Sequence, residues 1–196
     1  MGKFKGLIAA SLILSSASSY ANVNDHVKKS NNQFYIGADL SMANNIELKV
    51  GSVSAEEQAD LGYNLVAGYE FDTHRVVKTS IEAEYWTFGK IDNTGSLSSD
   101  GDAFFINAKS KLFVLYDFGN LYFAPMIGLG QIDIDVKDSA SQNYSKKEMG
   151  YQLGAEIGTR LPYGLDLNLG YRAVFTEIEE VNLTLTGFYL GARYFF

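Results

Sequence analysis

Alternation of apolar and polar residues at period two is the feature that most constrains the fold of this 196-residue chain. Such alternation is typical of β-strands that have one face in an apolar environment. It occurs in eight stretches, each long enough for the roughly 9–11 residues with which a strand crosses a membrane. These stretches are residues 33–42, 61–71, 78–88, 103–116, 121–133, 148–161, 165–177 and 184–196. No stretch after residue 21 carries a sustained helical period, so the sequence predicts an all-β fold.

The connections between these stretches alternate in length. Those after the second, fourth and sixth stretches are short, namely 72–77, 117–120 and 162–164. Those after the first, third and fifth are long and polar, namely 43–60, 89–102 and 134–147, and 178–183 is of modest length. Transmembrane barrels have short turns on the periplasmic side and longer loops outside. The pattern therefore predicts an eight-stranded antiparallel up-and-down transmembrane β-barrel over 33–196, and leaves open whether strands extend into the long connections.

The two faces of the predicted strands differ in a way that favours a membrane barrel over a soluble one. One face carries bulky apolar residues such as Ile36, Leu65 and Leu129, and an eight-stranded barrel is too narrow to hold them all inside. The other face interleaves glycines with six acidic and five basic residues, a near balance expected if the charges pair in a poorly solvated lumen. The predicted lumen charge network is Glu70, Glu82, Glu84, Lys109, Lys111, Glu156, Arg160, Arg172 and Arg193, with Asp39 and Asp166 on the same face.

Aromatic residues recur near the expected membrane edges, where their rings favour the headgroup level. We expect this role for Phe34, Tyr35, Tyr69, Phe71, Tyr85, Trp86, Phe104, Tyr116, Tyr122, Phe123, Tyr194 and Phe196.

Residues 1–21 have the features of a secretory signal peptide. Lys3 and Lys5 precede an apolar run that is too short to span a bilayer, and Ser19-Tyr20-Ala21 provides small residues for cleavage before Asn22. Residues 22–32 are then a short periplasmic segment before the barrel. Removal of the leader leaves 14 Lys+Arg against 23 Asp+Glu, a net charge of −9. This charge does not favour nucleic acid as a partner.

The chain ends in YLGARYFF, with Tyr189, Gly191, Tyr194 and the terminal Phe196 on a polar-x-Gly-x-x-aromatic-x-aromatic pattern. This pattern resembles the assembly signal in the last strand of bacterial outer-membrane proteins, which the barrel assembly machinery reads. Over 33–196 the chain resembles the small eight-stranded outer-membrane β-barrels, the family of OmpA-type barrel domains and OmpX/Ail-like proteins. Pro125 departs from the strand pattern, and we expect a bulge near the periplasmic rim to absorb it.

The resemblance implies a location and a set of partners. The location is the outer membrane of a Gram-negative cell. The implied partners are outer-membrane lipid and lipopolysaccharide, the assembly machinery, and a host-surface or phage ligand on the outer loops.

Catalytic and metal chemistry are not expected. Cysteine is absent, and of the two histidines His26 precedes the first strand while His74 lies in a periplasmic turn, far from the outer leaflet where barrel enzymes need a base. The acidic loop residues Glu56, Glu57, Asp60, Asp100, Asp102, Asp133, Asp135 and Asp138 do not form a twelve-residue calcium loop. We therefore predict no enzyme activity, cofactor or metal site.

Two functions remain open at this stage. The first is a structural or surface-interaction barrel whose lumen is plugged by charged side chains. The second is a narrow, porin-like passive channel for ions or small solutes. The number of lumen charges favours the first function, because eleven long side chains fill an eight-stranded barrel.

Overall fold

The computed structural model describes residues 32–50, 53–59, 61–92, 97–115, 120–138, 143–178 and 181–196. The predicted signal peptide, residues 1–21, and all but the last residue of the segment 22–32 lie outside them. The strands in these residues are β1 (Gln33–Val50), β2 (Val53–Ala59), β3 (Gly62–Phe71), β4 (Val77–Asp92), β5 (Leu97–Leu115), β6 (Leu121–Asp138), β7 (Asn143–Leu161), β8 (Leu165–Ile178) and β9 (Val181–Phe195), with a 3₁₀ turn at Pro162–Gly164. No helix in the described part of the chain is long and apolar enough to span a membrane.

The strands form one closed antiparallel barrel. Each strand from β3 to β8 pairs with the next, and β1 closes the barrel by pairing with both β3 and β9. Strands β2 and β3 pair with β1 in one continuous register, with Asn44 opposite Ala59 and Ser41 opposite Gly62. They are therefore two parts of a single barrel strand, and the predicted eight-stranded antiparallel barrel is confirmed.

Side chains alternate between an outer apolar surface and the lumen. Outward residues such as Ile127 and Leu129 are more than half exposed, as expected of side chains that face lipid. Outward aromatic residues ring the barrel at two levels: Tyr63, Tyr85, Phe104, Tyr151 and Phe188 towards one end, and Phe34, Phe123, Tyr194 and Phe196 towards the other. These two levels are the aromatic girdles of a membrane barrel.

Three of the predicted girdle residues face the lumen instead. Tyr35, Trp86 and Tyr122 are 2%, 1% and 1% exposed. Each directly adjoins another aromatic residue in the sequence, and the period of two allows only one of each adjacent pair to face lipid. Tyr116 lies outside the described residues.

The long polar connections are mostly strand, which answers the question that the sequence left open. β1 continues to Val50 and β2 begins at Val53, while β4 and β5 extend to Asp92 and from Leu97. β6 likewise extends to Asp138, and β7 begins at Asn143. The strands continue because their inward positions remain apolar above the membrane, where Ile46, Ile132 and Leu185 are buried in a common cluster.

The barrel wall is less complete above the membrane. Pairing between β7 and β8 begins at Gly150–Thr176, so within the described residues Asn143–Met149 pair with β6 alone. The Thr176 hydroxyl donates to the Met149 carbonyl at 2.9 Å and caps the ladder at this point.

Pro125 faces outward in β6 and interrupts the β5–β6 ladder locally. The register is the same at Lys109–Met126 and at Leu112–Phe123, with no pairing between them, because proline has no N–H to donate. The expectation that a bulge absorbs Pro125 is therefore wrong, since the register shift in this pair of strands lies between Phe113 and Leu115.

Candidate functional site: the barrel lumen

The lower tier of the lumen lies at the end with the short turns. Arg160 binds Glu70 through two parallel bonds of 2.8 and 2.9 Å, and its Nε donates to Asp166 at 2.7 Å. Lys111 Nζ lies 2.7 Å from Asp166 and 3.1 Å from Glu70. The Phe195 ring covers both cations, with its centroid 4.2 Å from Arg160 Cζ and 4.7 Å from Lys111 Nζ. Two acids and two bases make this tier neutral.

The middle tier joins residues from five strands. Lys109 Nζ lies 3.0 Å from Glu82 and 3.1 Å from Glu156. Arg193 forms an ion pair with Asp39, and its Nε lies 3.4 Å from Glu82. All five side chains are buried. Because a buried charge that loses its partner is costly, each residue of this tier depends on the others.

The upper tier is built around one ion pair. Arg172 forms an ion pair with Glu84, and three side-chain amides donate hydrogen bonds to the same carboxylate. Asn64 donates to Glu84 Oε1 at 2.8 Å, while Asn107 and Gln152 donate to Oε2 at 2.8 and 2.9 Å. The carboxylate therefore has protein partners in place of water.

Aromatic rings hold the Arg172 guanidinium between them. Its Cζ lies 4.3 Å from the Trp86 ring centroid and 4.8 Å from that of Tyr189. Below it, the Tyr189 hydroxyl donates to Glu156 at 3.0 Å, and the Tyr35 hydroxyl donates to Glu82 at 3.1 Å. The Tyr189 contacts therefore link the upper and middle tiers. Tyr35, whose ring centroid lies 5.6 Å from Lys111 Nζ, links the middle tier to the lower one.

An apolar cap closes the lumen above the upper tier. We use this name for the buried cluster Ile46, Trp86, Ala103, Phe105, Ile132, Val174, Leu183 and Leu185. The cap was not predicted from the sequence, because Ile46 and Leu183 lie in predicted connections and Trp86 was assigned to the aromatic girdle. The signal was present: Leu183 and Leu185 continue the inward period of Gly187 and Tyr189 along β9.

The structure brings the predicted lumen residues into contact. All nine residues of the predicted network, together with Asp39 and Asp166, point inward and form ion pairs, and only Arg160 among them is not fully buried. The polar partners Ser41, Asn64, Asn107, Gln152 and Asn168 were not predicted, although each occupies an inward position of the period-two pattern.

The residues of the predicted terminal signal lie on different faces. Tyr189 and Gly191 face the lumen, whereas Tyr194 and Phe196 face outward, with their rings 5.2 Å apart. The Phe196 N–H donates to the Phe34 carbonyl at 2.9 Å, which attaches the chain terminus to β1.

His74 is exposed in its turn, where its Nδ1 accepts the Val76 N–H at 3.4 Å. His26 lies outside the described residues. Within the described ranges, no group of three acidic, histidine or cysteine side chains is arranged to hold a metal ion.

A closed barrel with an apolar outer band, two aromatic girdles and a polar lumen defines an integral β-barrel of the outer membrane. The chain matches the model of the outer membrane protein beta-barrel domain over residues 7–196, and it belongs to that family. A surface or structural role in the outer membrane is the general property of such barrels.

The solved structures similar to this chain share its fold at low sequence identity. Ail, the attachment invasion locus protein of Yersinia pestis, is 13% identical, with a TM-score of 0.56 over 86% of this chain and 100% of Ail. Ail was also solved in complex with the heparin analogue sucrose octasulfate, at a TM-score of 0.54. Neisserial surface protein A is 16% identical, with a TM-score of 0.56 over 83% of this chain and 97% of that protein. No curated protein sequence matches the chain.

Proposed function

We propose that this protein is a closed, non-enzymatic barrel that presents its outer strands and turns at the cell surface. The observation that carries the proposal is the filling of the lumen: three tiers of paired charges lie below an apolar cap. Ion-paired side chains occupy the width of an eight-stranded barrel. The cap adds a layer in which water would find few hydrogen-bond partners.

The surface chemistry narrows the partners that the outer segments could bind. The four connections 43–60, 89–102, 134–147 and 178–183 contain 11 acidic and 5 basic residues, a net charge of −6. A polyanion such as the heparin analogue bound by Ail does not suit this charge. We therefore propose contact with lipopolysaccharide through bridging divalent cations, and a host-surface or phage ligand that is cationic where it meets the barrel.

The proposed function also includes a route of export and assembly. Residues 1–21 direct export and are cleaved, and 22–32 remain on the periplasmic side in a Gram-negative envelope. The barrel assembly machinery would then recognise the last strand through Tyr189, Gly191, Tyr194 and Phe196. The hydrogen bond from Phe196 to Phe34 supports a role for the terminus in closing the barrel.

Planar-bilayer recording of the purified protein tests the closed lumen. We expect rare, small openings and no steady conductance from the wild type. Arg172→Ala leaves Glu84 buried without its cation, so water should enter and cation conductance should rise. Tyr171→Ala is the matched control, because Tyr171 is the lipid-facing neighbour on the same strand.

The closed barrel and the narrow channel predict different conductance in the planar bilayer. A large, steady conductance from the wild type would reject the closed lumen and favour the narrow channel. If Arg172→Ala and Tyr171→Ala both behave like the wild type, the Arg172–Glu84 pair does not control the passage of water.

A further inference from the structure

The middle tier of the lumen contains one more acid than it has bases. Its carboxylates are Asp39, Glu82 and Glu156, and its cations are Lys109 and Arg193. The lower tier has two of each sign and the upper tier one of each, so the excess negative charge of the lumen belongs to the middle tier. An uncompensated carboxylate at this depth is costly unless a positive charge accompanies it.

A buried amide in the same tier points to the position of that charge. Asn168 is 3% exposed, and its Oδ1 has no hydrogen-bond partner. It lies across Gly191 from Asp39, in the order Asn168, Gly191, Asp39 on β8, β9 and β1. A Cβ at Gly191 would clash with Asn168 Oδ1 and with Asp39 Oδ1, so the two oxygens meet in the space above the glycine. Two acceptors face each other there, and the donor beside them, Arg193 Nη1, already donates to Asp39 Oδ1.

Turning the Asn168 amide does not remove this conflict. In the present orientation its Nδ2 donates to Glu156 Oε2 at 3.4 Å. The opposite orientation would direct Nδ2 towards Asp39 and the oxygen towards Glu156 Oε2. That atom already accepts from Lys109 at 3.1 Å and from Tyr189 at 3.0 Å. An amide between two carboxylates has only one donor end, so its oxygen faces a carboxylate in either orientation.

The nearest cation does not supply the missing donor. The N–H groups of Arg193 donate to Asp39 and to Glu82, and none of these bonds reaches Asn168. The titratable and charged groups that act on Asp39 from the surrounding strands are Glu82, Lys109, Tyr189 and Arg193. Asn64 also donates to this carboxylate, from Nδ2 to Asp39 Oδ2 at 3.1 Å.

We propose that the middle tier binds one additional unit of positive charge, between Asp39 and the Asn168 oxygen. The chemistry suits either a proton shared by these two oxygens or one alkali cation. Two independent observations support this proposal, namely the extra carboxylate of the middle tier and the unpartnered Asn168 oxygen. A site with one carboxylate and one amide oxygen beside an arginine fits a single charge and not a divalent metal.

Asp39→Asn tests the proposal because it removes the excess charge and adds a donor for Asn168. The middle tier then holds two acids and two bases, and Arg193 keeps Glu82 as a partner. We expect the urea midpoint of the refolded variant at pH 8 to equal or exceed that of the wild type. Glu84→Gln is the matched control: it leaves Arg172 without its carboxylate, so its midpoint should fall.

Two series of conditions distinguish the sources of the charge. If a proton is bound, the unfolded chain has lost it above about pH 4, so raising the pH from 5 to 9 lowers the folding equilibrium constant of the wild type by up to tenfold per pH unit. If an alkali cation is bound, NaCl or KCl raises the midpoint above that in choline chloride at equal ionic strength and pH. Asp39→Asn should lose whichever dependence the wild type has. The proposal is overturned if Asp39→Asn loses as much stability as Glu84→Gln, or if the wild type and Asp39→Asn respond identically to pH and to alkali cations.

Discussion

At the scale of single residues, glycines opposite tyrosines shape the lumen. Tyr35 pairs with Gly68, Tyr122 with Gly158, and Tyr189 with Gly170, each on neighbouring strands. A Cβ on any of these glycines would meet the ring or hydroxyl of the paired tyrosine, so each tyrosine occupies the space beside its glycine. Such cross-strand pairs protect the glycine and fill the lumen.

We predict that Gly170→Ala destabilises the barrel by about 1–3 kcal/mol, the usual range for overpacking a filled interior. The added Cβ would lie 2.6 Å from Tyr189 Cε1, and this ring is held by the hydroxyl bond to Glu156. Urea unfolding in lipid vesicles measures the loss. In a Tyr189→Ala background the same change should cost little, because the clash is gone. Equal costs in both backgrounds would mean that the effect of Gly170→Ala does not arise from the ring.

At the scale of elements, the sequence was most informative where one face of a strand meets lipid. The contrast between Ile127 outside and Lys109 inside is large, so strand positions and the charged lumen face could be predicted. Above the membrane the outer face becomes polar, and inward apolar residues such as Ile46 and Leu183 no longer stand out against an apolar band. The sequence therefore left the strand extensions open and did not predict the apolar cap.

The ion-pair partner of each lumen charge could not be predicted from the sequence, for a different reason. Glu84 and Arg172 are 88 residues apart, and Lys111 and Asp166 are 55 apart. Their meeting depends on the register of every strand between them and on the depth each side chain reaches across the lumen. Period two places a residue inside but does not select its partner.

The last strand gives a prediction about assembly. Phe196 is 65% exposed, so Phe196→Ser should change the stability of the finished barrel only slightly while reducing the folded yield in cells, with export intact. Immunoblotting of unheated membrane samples measures the folded fraction. Phe34→Ser is the control, since Phe34 lies at the same rim with 56% exposure. An equal loss of yield in both variants would assign the effect to the aromatic girdle and not to the terminal signal.

At the scale of the whole molecule, the barrel has no free edge across the membrane. β1 pairs with β3 on one side and with β9 on the other, from Tyr35–Phe195 up to Met42–Phe188. Opening the wall at any seam would leave a row of backbone donors and acceptors unpaired in hydrocarbon, which lipid cannot compensate. The ion pairs of the lumen join strands on opposite sides of the barrel, so the wall and the interior must come apart together.

This closure predicts both the location of the protein and its resistance to detergent. The protein should fractionate with the outer membrane, and an unheated sample in dodecyl sulfate should migrate differently from a boiled one, because the detergent cannot open the closed ladder without heat. A sample unfolded in urea and left unheated is the control, and it should migrate like the boiled protein. Recovery in the soluble periplasm, or one mobility in all three samples, would contradict a closed membrane barrel. Since Gly170→Ala leaves the ladder intact and weakens only the packing inside it, this variant should lose the unheated mobility at a lower temperature than the wild type.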